Sequence, residues 1–338
     1  MISPSVLASL LFSISLTLPT FAVIVAGANG GGNNANNTTQ AQLESAVGAP
    51  FPMYDNVIGY AGATGLYLGY NPATSDVWVL TARHIFSDAT NGSTVTIQGQ
   101  TYNRQPEGPG GFGSFPGGDY RLVRYRRMDL TVPTLPAIQI SATAPISGTA
   151  LVMIGNGQNR VEAAALSVTT SDATSTGVGT GYAWTGPNRK RWGTNVIEGE
   201  FANSLEVPVA GSGVTGTINI AGVNSISYMT DFDGPTSPNW LSSNEAQGSV
   251  GDSGGSAFYQ DGPNWVLSGM FSAVSGFSGQ NPSTSAFGNV TIVADAASYK
   301  SAIDSAIAVT LVPEPSAACL LAIASAGLFS RRRRSMCV

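Results

Sequence analysis

From about Pro50 onward the apolar residues of this chain come in short runs, each broken after a few positions by glycine, proline or asparagine. Ile58-Gly59-Tyr60, Gly65-Leu66-Tyr67-Leu68-Gly69, Val95-Thr96-Ile97 and Tyr120-Arg121-Leu122-Val123-Arg124-Tyr125 show the pattern. Runs this short, rich in β-branched and aromatic residues, bury themselves as strands, and no helix-length amphipathic stretch lies among them. The chain is therefore predicted to be all-β, a sandwich or barrel architecture. Its 338 residues suffice for two such units or one large one.

Further strands are predicted at Leu135 to Ile140, Ala150 to Gly157, Val161 to Thr169, Val196 to Val209, Ile218 to Ile220, Ser225 to Tyr228 and Val290 to Val293. Residues 171–194 read as a long loop with Trp192 packed down. Arg189-Lys190-Arg191 in it reads as a solvated charge cluster.

Only 10% of the residues are charged, which suits a secreted, turn-rich β protein better than a cytosolic helical enzyme. The net charge is −5, although Arg331 to Arg334 supply four of the 15 basic residues. An acidic chain without a basic stripe is a poor nucleic-acid binder, so that class of partner is excluded. Both cysteines, Cys319 and Cys337, lie at the extreme end, so a chain processed before them has no disulfide. Asp231 and Asp233 form too short a liganding pattern for a calcium loop and read as a turn; no metal or other cofactor is expected.

Residues 1–22 are apolar, end in Leu18-Pro19-Thr20-Phe21-Ala22, and read as a signal peptide cleaved by signal peptidase near Ala22 or near Ala26 to Ala28. The n-region has no Lys or Arg, which leaves a start further upstream open. Residues 23–49, with the Gly/Asn-rich stretch 27–40 inside them, read as a linker. Units are then expected over 50–140 and 141–310, with a separate tail over 311–338.

Two stretches carry chemistry. Gly251-Asp252-Ser253-Gly254-Gly255 sets a serine on a tight glycine loop, where its hydroxyl is exposed and neighbouring amides can converge. Acyl transfer needs a nucleophile beside a pair of such donors, here the amides of Gly251 and Ser253. The single histidine, His84, ends the apolar run Trp78-Val79-Leu80-Thr81-Ala82, where a buried strand leaves the core. Together, Thr-Ala-x-His and Gly-Asp-Ser-Gly-Gly resemble the chymotrypsin-like serine peptidases, in the family order histidine, aspartate, serine.

The resemblance implies two Greek-key β-barrels with the active site between them, the second opening near Ala150. Ala294 to Ala308, with apolar residues at Ala297, Ile303 and Ile307 and Tyr299 between them, resembles the family's C-terminal helix that packs on the second barrel. The resemblance also implies a triad aspartate that opens a strand and is followed by a loop and another strand. Asp119 fits, with Leu135 to Ile140 as the next strand; Asp129 stands too close to it and reads as a turn carboxylate. Gln247, six before the serine, is implied at the base of the specificity pocket, and Ser272-Ala273-Val274 as its wall. A valine in place of glycine narrows such a pocket toward small or polar side chains. The family's Asp252 pairs with a new N-terminal amine; the nearest match, Val23-Ile24-Val25-Ala26, is exposed if cleavage follows Ala22. Many bacterial relatives manage without one, and the activation route stays open.

The tail is separate. Val312-Pro313-Glu314-Pro315, an apolar run from Ala317 to Phe329 and four arginines resemble a PEP-CTERM sorting signal. The run is shorter than a membrane-spanning helix needs. The resemblance implies export, transient inner-membrane tethering through the tail, processing by an exosortase, and a cell-surface or released product. The expected function is an exported serine endopeptidase acting on protein or peptide substrates. The alternative is a catalytically weak surface or matrix binding protein on the same scaffold.

Overall fold

The computed structural model describes residues 23–27, 36–85, 92–106, 118–161, 166–169, 178–199 and 214–309. The expected signal peptide, 1–22, and the expected sorting tail, 311–338, lie outside the described residues. The fold is all-β: two antiparallel barrels with the candidate site between them and a short helix near the C-terminus.

The chain enters at β1 (Ile24–Val25) and α1 (Gln40–Val47). The first barrel comes next, with β2 (Val57–Tyr60), β3 (Ala63–Asn71), β4 (Asp76–Ala82), β5 (Thr94–Ile97), β6 (Gln100–Arg104) and β7 (Tyr120–Arg126). Its six strands run in the order β2-β3-β4-β7-β6-β5. The last strand, β7, therefore inserts beside β4, a Greek-key step. All of β4 is buried, the apolar run Val77 to Leu80 together with Asp76, which Arg126 pairs at 2.7 Å.

The second barrel comprises β8 (Ala150–Arg160), β9 (Leu166–Thr169), β10 (Val178–Val196), β11 (Gly216–Ile220), β12 (Val223–Asp231), β13 (Ala246–Gln247), β14 (Ser256–Asp261), β15 (Asn264–Ser275), β16 (Thr284–Ala286) and β17 (Val290–Asp295). Its main sheet runs β11-β12-β17-β15-β14-β8-β10-β16, with β9 on β10, while β13 pairs with β1.

Helix α2 (Ala296–Val309) closes the described chain. Asp295 caps it, accepting from the amides of Ala297 and Ser298. Ala296, Tyr299 and Ile303 are buried, and Ala297 is only half-buried. The helix packs across both barrels. The Tyr299 ring lies 5.1 Å from that of Tyr120 in β7, while its hydroxyl accepts from the amide of Ile226 in β12. One apolar cluster likewise runs from Trp78 and Leu80 through to Phe258, Leu267 and Met270, so the two barrels share a core.

The structure departs from the sequence expectations in several places. Residues 23–49 are not a linker throughout: Val23, Ile24 and Val25 are buried, with Ile24 opposite Gln247 and Val25 opposite Ala246. Helix α1 carries a capping box between Thr39 and Gln42 and buries Leu43. Most of the predicted loop 171–194 is β10, paired with β8 from Trp184↔Arg160 to Val196↔Ala150. Arg191 is accordingly buried, not solvated, held by Asn159 at 2.9 Å, and burial pulls its guanidinium down to about 10. Finally, Leu135 to Ile140 is an extended segment rather than a strand, joined to the barrels by the Ile138 amide on Leu68 and a bridge from Ile140 to Leu267. Pro136, which has no amide to donate to a ladder, accounts for part of that.

Candidate active site

Strand pairing builds the site. In the β4/β7 pair Ala82 stands opposite Tyr120, so the residues just past the end of β4 meet those just before the start of β7 at one end of the sheet. His84 comes directly after β4 in a single 3-10 turn, Arg83–Ile85, and Asp119 immediately precedes β7. The Arg83 amide donates to the Asp119 carbonyl at 3.1 Å, and the His84 amide donates to Asp119 Oδ1 at 3.0 Å. The carboxylate is thus aligned before the ring is considered. Its Oδ2 lies 2.7 Å from His84 Nδ1. Asp119 is 1% exposed and His84 19%, so the pair is shielded on the acid side and open on the other.

Ser253 arrives from the second barrel, on the loop between β13 and β14. Its Oγ is 2.7 Å from His84 Nε2. A carboxylate at Nδ1 fixes the ring proton there, which leaves Nε2 as the acceptor for the serine hydroxyl. Asp129 lies elsewhere. It is exposed, and Arg127 holds it from both sides, Nε at 2.9 Å and Nη2 at 2.6 Å, which lowers its carboxyl below the ordinary value.

The serine loop spends its amides selectively. Asp252 N–H donates to Ser249 O, Gly255 N–H to Asp252 O, and Gly254 N–H to Phe271 O. The amides of Gly251 and Ser253 have no partner among the described residues. In a folded loop, unspent donors flanking a serine hydroxyl are what an oxyanion requires. Gly254 has φ +84°, and a Cβ there would stand 2.0 Å from the Thr64 carbonyl. No other residue fits that position without moving the loop.

Thr64, on β3, is a site residue that sequence reasoning misses. Its amide donates to the Ser253 carbonyl at 3.1 Å, its hydroxyl to the Gly251 carbonyl at 3.3 Å, and its own carbonyl accepts from Thr81 Oγ1 at 2.7 Å. It therefore ties the serine loop to the barrel that carries the histidine. Ser225 Oγ similarly accepts from the Asp119 amide at 3.3 Å. Threonine and serine are abundant in this chain, so neither position carries a signal of its own.

The other predicted residues surround this centre. Ser272 and Val274 line the same cleft as His84 and Ser253, and Ser272 is 2% exposed with its hydroxyl unpartnered. Gln247 is also 2% exposed but lines an adjoining hollow instead. Asp252 turns inward. Its Oδ2 accepts from the amide and hydroxyl of Ser249, at 2.8 and 3.0 Å, while Oδ1 has no partner. Burial drives this carboxyl well above its ordinary value. A Cβ on Gly155 would meet both Asp252 Oδ1, at 2.0 Å, and Val23 Cγ2, at 2.9 Å. The orphaned oxygen and the first described residue thus crowd the same point.

No family model matches the chain, and no curated protein matches it in sequence. Among solved structures it is similar to neuropsin, a serine protease expressed in the limbic system of mouse brain, at 18% identity. That match covers 72% of this chain and 87% of neuropsin, with a TM-score of 0.41. It is also similar to Rv3671c from M. tuberculosis H37Rv, at 14% identity over 76% of this chain and 88% of that one, TM-score 0.39. A glutamic acid specific serine protease matches at 17% identity over 74% and 96%, TM-score 0.36. These similarities are distant.

Proposed function

We propose that this chain is an exported serine endopeptidase working through an acyl-enzyme, with Ser253 as nucleophile, His84 as base and Asp119 as its orienting partner. One observation carries the reading: a single imidazole within 2.7 Å of a buried carboxylate on one nitrogen and of a loop serine on the other. Ser253 Oγ attacks the scissile carbonyl carbon as its proton passes to His84 Nε2. Asp119 stabilises the imidazolium, and the amides of Gly251 and Ser253 take the carbonyl oxygen as it becomes an oxyanion. Collapse breaks the C–N bond, the leaving amine takes the proton from Nε2, and water repeats the sequence on the ester. No step calls for a cofactor.

The remaining parts of the reading come from the sequence. Residues 1–22 act as the export signal, and the Pro-Glu-Pro tail is a substrate for an exosortase at the cell envelope. Cleavage after Ala22 would free the amine of Val23, whose side chain already packs beside the unpartnered Asp252 Oδ1. We assign that pair the role of holding the serine loop in the mature protein.

Hydrolysis of a denatured protein substrate by the mature chain tests the activity. It is expected with the native sequence and absent with Ser253→Ala. Equal hydrolysis by the two would overturn the proposal.

A further inference from the structure

The turn after β12, whose two aspartates are too closely spaced for a calcium loop of their own, is not isolated in the fold. Asp231 ends β12 and Asp233 lies just beyond it. The Asn195 side chain donates to the carbonyls of Asp231 and Ala246, at 2.8 and 2.7 Å, and so brings Glu245 alongside. Glu198 arrives from the chain beyond β10, where its amide donates to the Met229 carbonyl at 3.0 Å. Four carboxylates from three separate stretches thus gather beside the end of β12.

The cluster is short of partners. Glu245 is fully buried, and neither of its side-chain oxygens makes a hydrogen bond. The amides of Leu241 and Asp233 stand near enough to lower its carboxyl, but not in bonding geometry. Asp233 is 7% exposed with Oδ2 unpartnered, and Asp231 Oδ1 and Glu198 Oε1 are buried and unpartnered as well. Ser237 and Asn239 serve the other oxygens of Asp233 and Glu198, Asn239 at a long 3.4 Å. Five carboxylate oxygens are left over, and among the described residues no lysine or arginine forms an ion pair with any of the four side chains.

Buried oxygens in that state must take up either protons or a cation. Burial accordingly raises all four carboxyls, Glu245 to about 9. Among the described residues no three of these groups already converge on one point, and the candidate site is empty. Like charges with nothing between them have no reason to converge.

We propose that this cluster binds calcium, with Glu245 and Asp233 as the inner ligands and Asp231 and Glu198 closing the site from the solvent side. Its donors are all hard oxygens, since the one histidine of the chain lies in the active site, and that suits calcium rather than zinc. Magnesium keeps several of its waters and is seldom held by so many carboxylates. Asp231 and Glu198, each only half-buried, give the ion its way in. The bound ion ties the turn after β12 to Glu245, whose carbonyl accepts from the Ala26 amide at 2.8 Å and which leads directly into β13, the partner of β1. None of the four lines the cleft of Ser253 and His84, so the site is independent of the peptidase reading.

Melting temperature and calorimetric titration test this on the full chain, stripped of metal with a chelator, at about pH 8, where fewer protons compete for the oxygens. One calcium per chain is expected, with a dissociation constant no weaker than about 10⁻³ M. A tenfold excess over that constant raises the melting temperature by about 3 °C, whereas magnesium or sodium chloride at matched ionic strength does not. Glu245→Gln and Asp233→Asn each weaken calcium binding at least about tenfold, while Asp129→Asn leaves it unchanged. Circular dichroism establishes which variants are folded, and either of the first two suffices. The proposal is overturned if calcium leaves the melting temperature of the native chain unmoved, which is the result for a cluster that holds only protons. It is overturned equally if magnesium or salt gives the same rise, or if a folded Glu245→Gln or Asp233→Asn chain keeps the native affinity.

Discussion

Three residues from two barrels converge because each stands just off the end of a strand, and that part of the site is legible in the sequence. A chain with one histidine leaves no choice of base, and a serine between glycines is conspicuous in any β protein. Asp119 is predicted on partly mistaken grounds, since the strand expected after it is an extended segment. What places it is the Ala82↔Tyr120 register, which no local pattern reveals. Asp119→Asn is expected to leave the fold intact and lower turnover by about four orders of magnitude, by disturbing the imidazole tautomer. Asp129→Asn, at an exposed pair with Arg127, is expected to leave turnover unchanged in the same peptidase assay. Thr64 and Gly254 are not legible, because what matters at both is the approach of two backbones. Gly254→Ala forces its methyl into the Thr64 carbonyl and is expected to reduce kcat at least about a hundredfold by displacing Ser253. Unchanged kcat in that variant would mean the serine does not depend on this loop contact.

At the scale of elements, the short apolar strands are readable and the polar ones are not. β10 reads Tyr182-Ala183-Trp184-Thr185-Gly186-Pro187-Asn188-Arg189-Lys190-Arg191-Trp192, with no alternation to detect. Its register also shifts between Thr185 and Arg189, so its pairing with β8 is set by tertiary context. The Thr39–Gln42 capping box is visible in the sequence, but the eight residues of α1 bury only Leu43, too little to stand out as a helix. The end of β12 holds a further consequence. Burial raises the carboxyls of Asp231, Asp233, Glu198 and Glu245, and the charge of Asp233 adds to the rise at the other three. Asp231 is pushed up to about 7 and Glu245 to about 9. A carboxyl raised in the fold stabilises it below its unfolded value, and that contribution is lost as pH rises through the folded one. The melting temperature is therefore expected to fall between about pH 4.5 and 9, and Glu245→Gln to flatten that fall. A melting temperature that rises over this range would contradict the assignment.

For the whole molecule, the all-β class is foreseeable from strand length and the two-barrel plan from the resemblance that the two motifs carry, but the depth at which its N-terminal segment is held is not. Val23 to Ala26 come after a stretch that reads as a signal and precede one that reads as a linker, so nothing local announces a buried strand. Arg160 explains its place, donating to the Val25 and Ala26 carbonyls at 2.6 and 3.0 Å while stacking on Tyr182 at 4.0 Å. If the freed Val23 amine pairs with Asp252, its pKa rises above the ordinary value of about 8. Activity of a chain beginning at Val23 is then retained at neutral pH and lost as pH climbs past that value, whereas a chain extended before Val23 shows no such alkaline limb. Identical alkaline profiles would remove the pairing from the account. At the other end, Tyr299 joins β7 to β12, and Tyr299→Ala is expected to cost about 3–5 kcal/mol in denaturant unfolding. The claim on which everything else depends is that His84 activates Ser253 across the junction of the barrels. A fluorophosphonate probe reads it directly: the account predicts a stoichiometric adduct on Ser253 of the folded mature chain and none on His84→Ala, and a folded chain that stays unlabelled, or is labelled equally without the histidine, would contradict it.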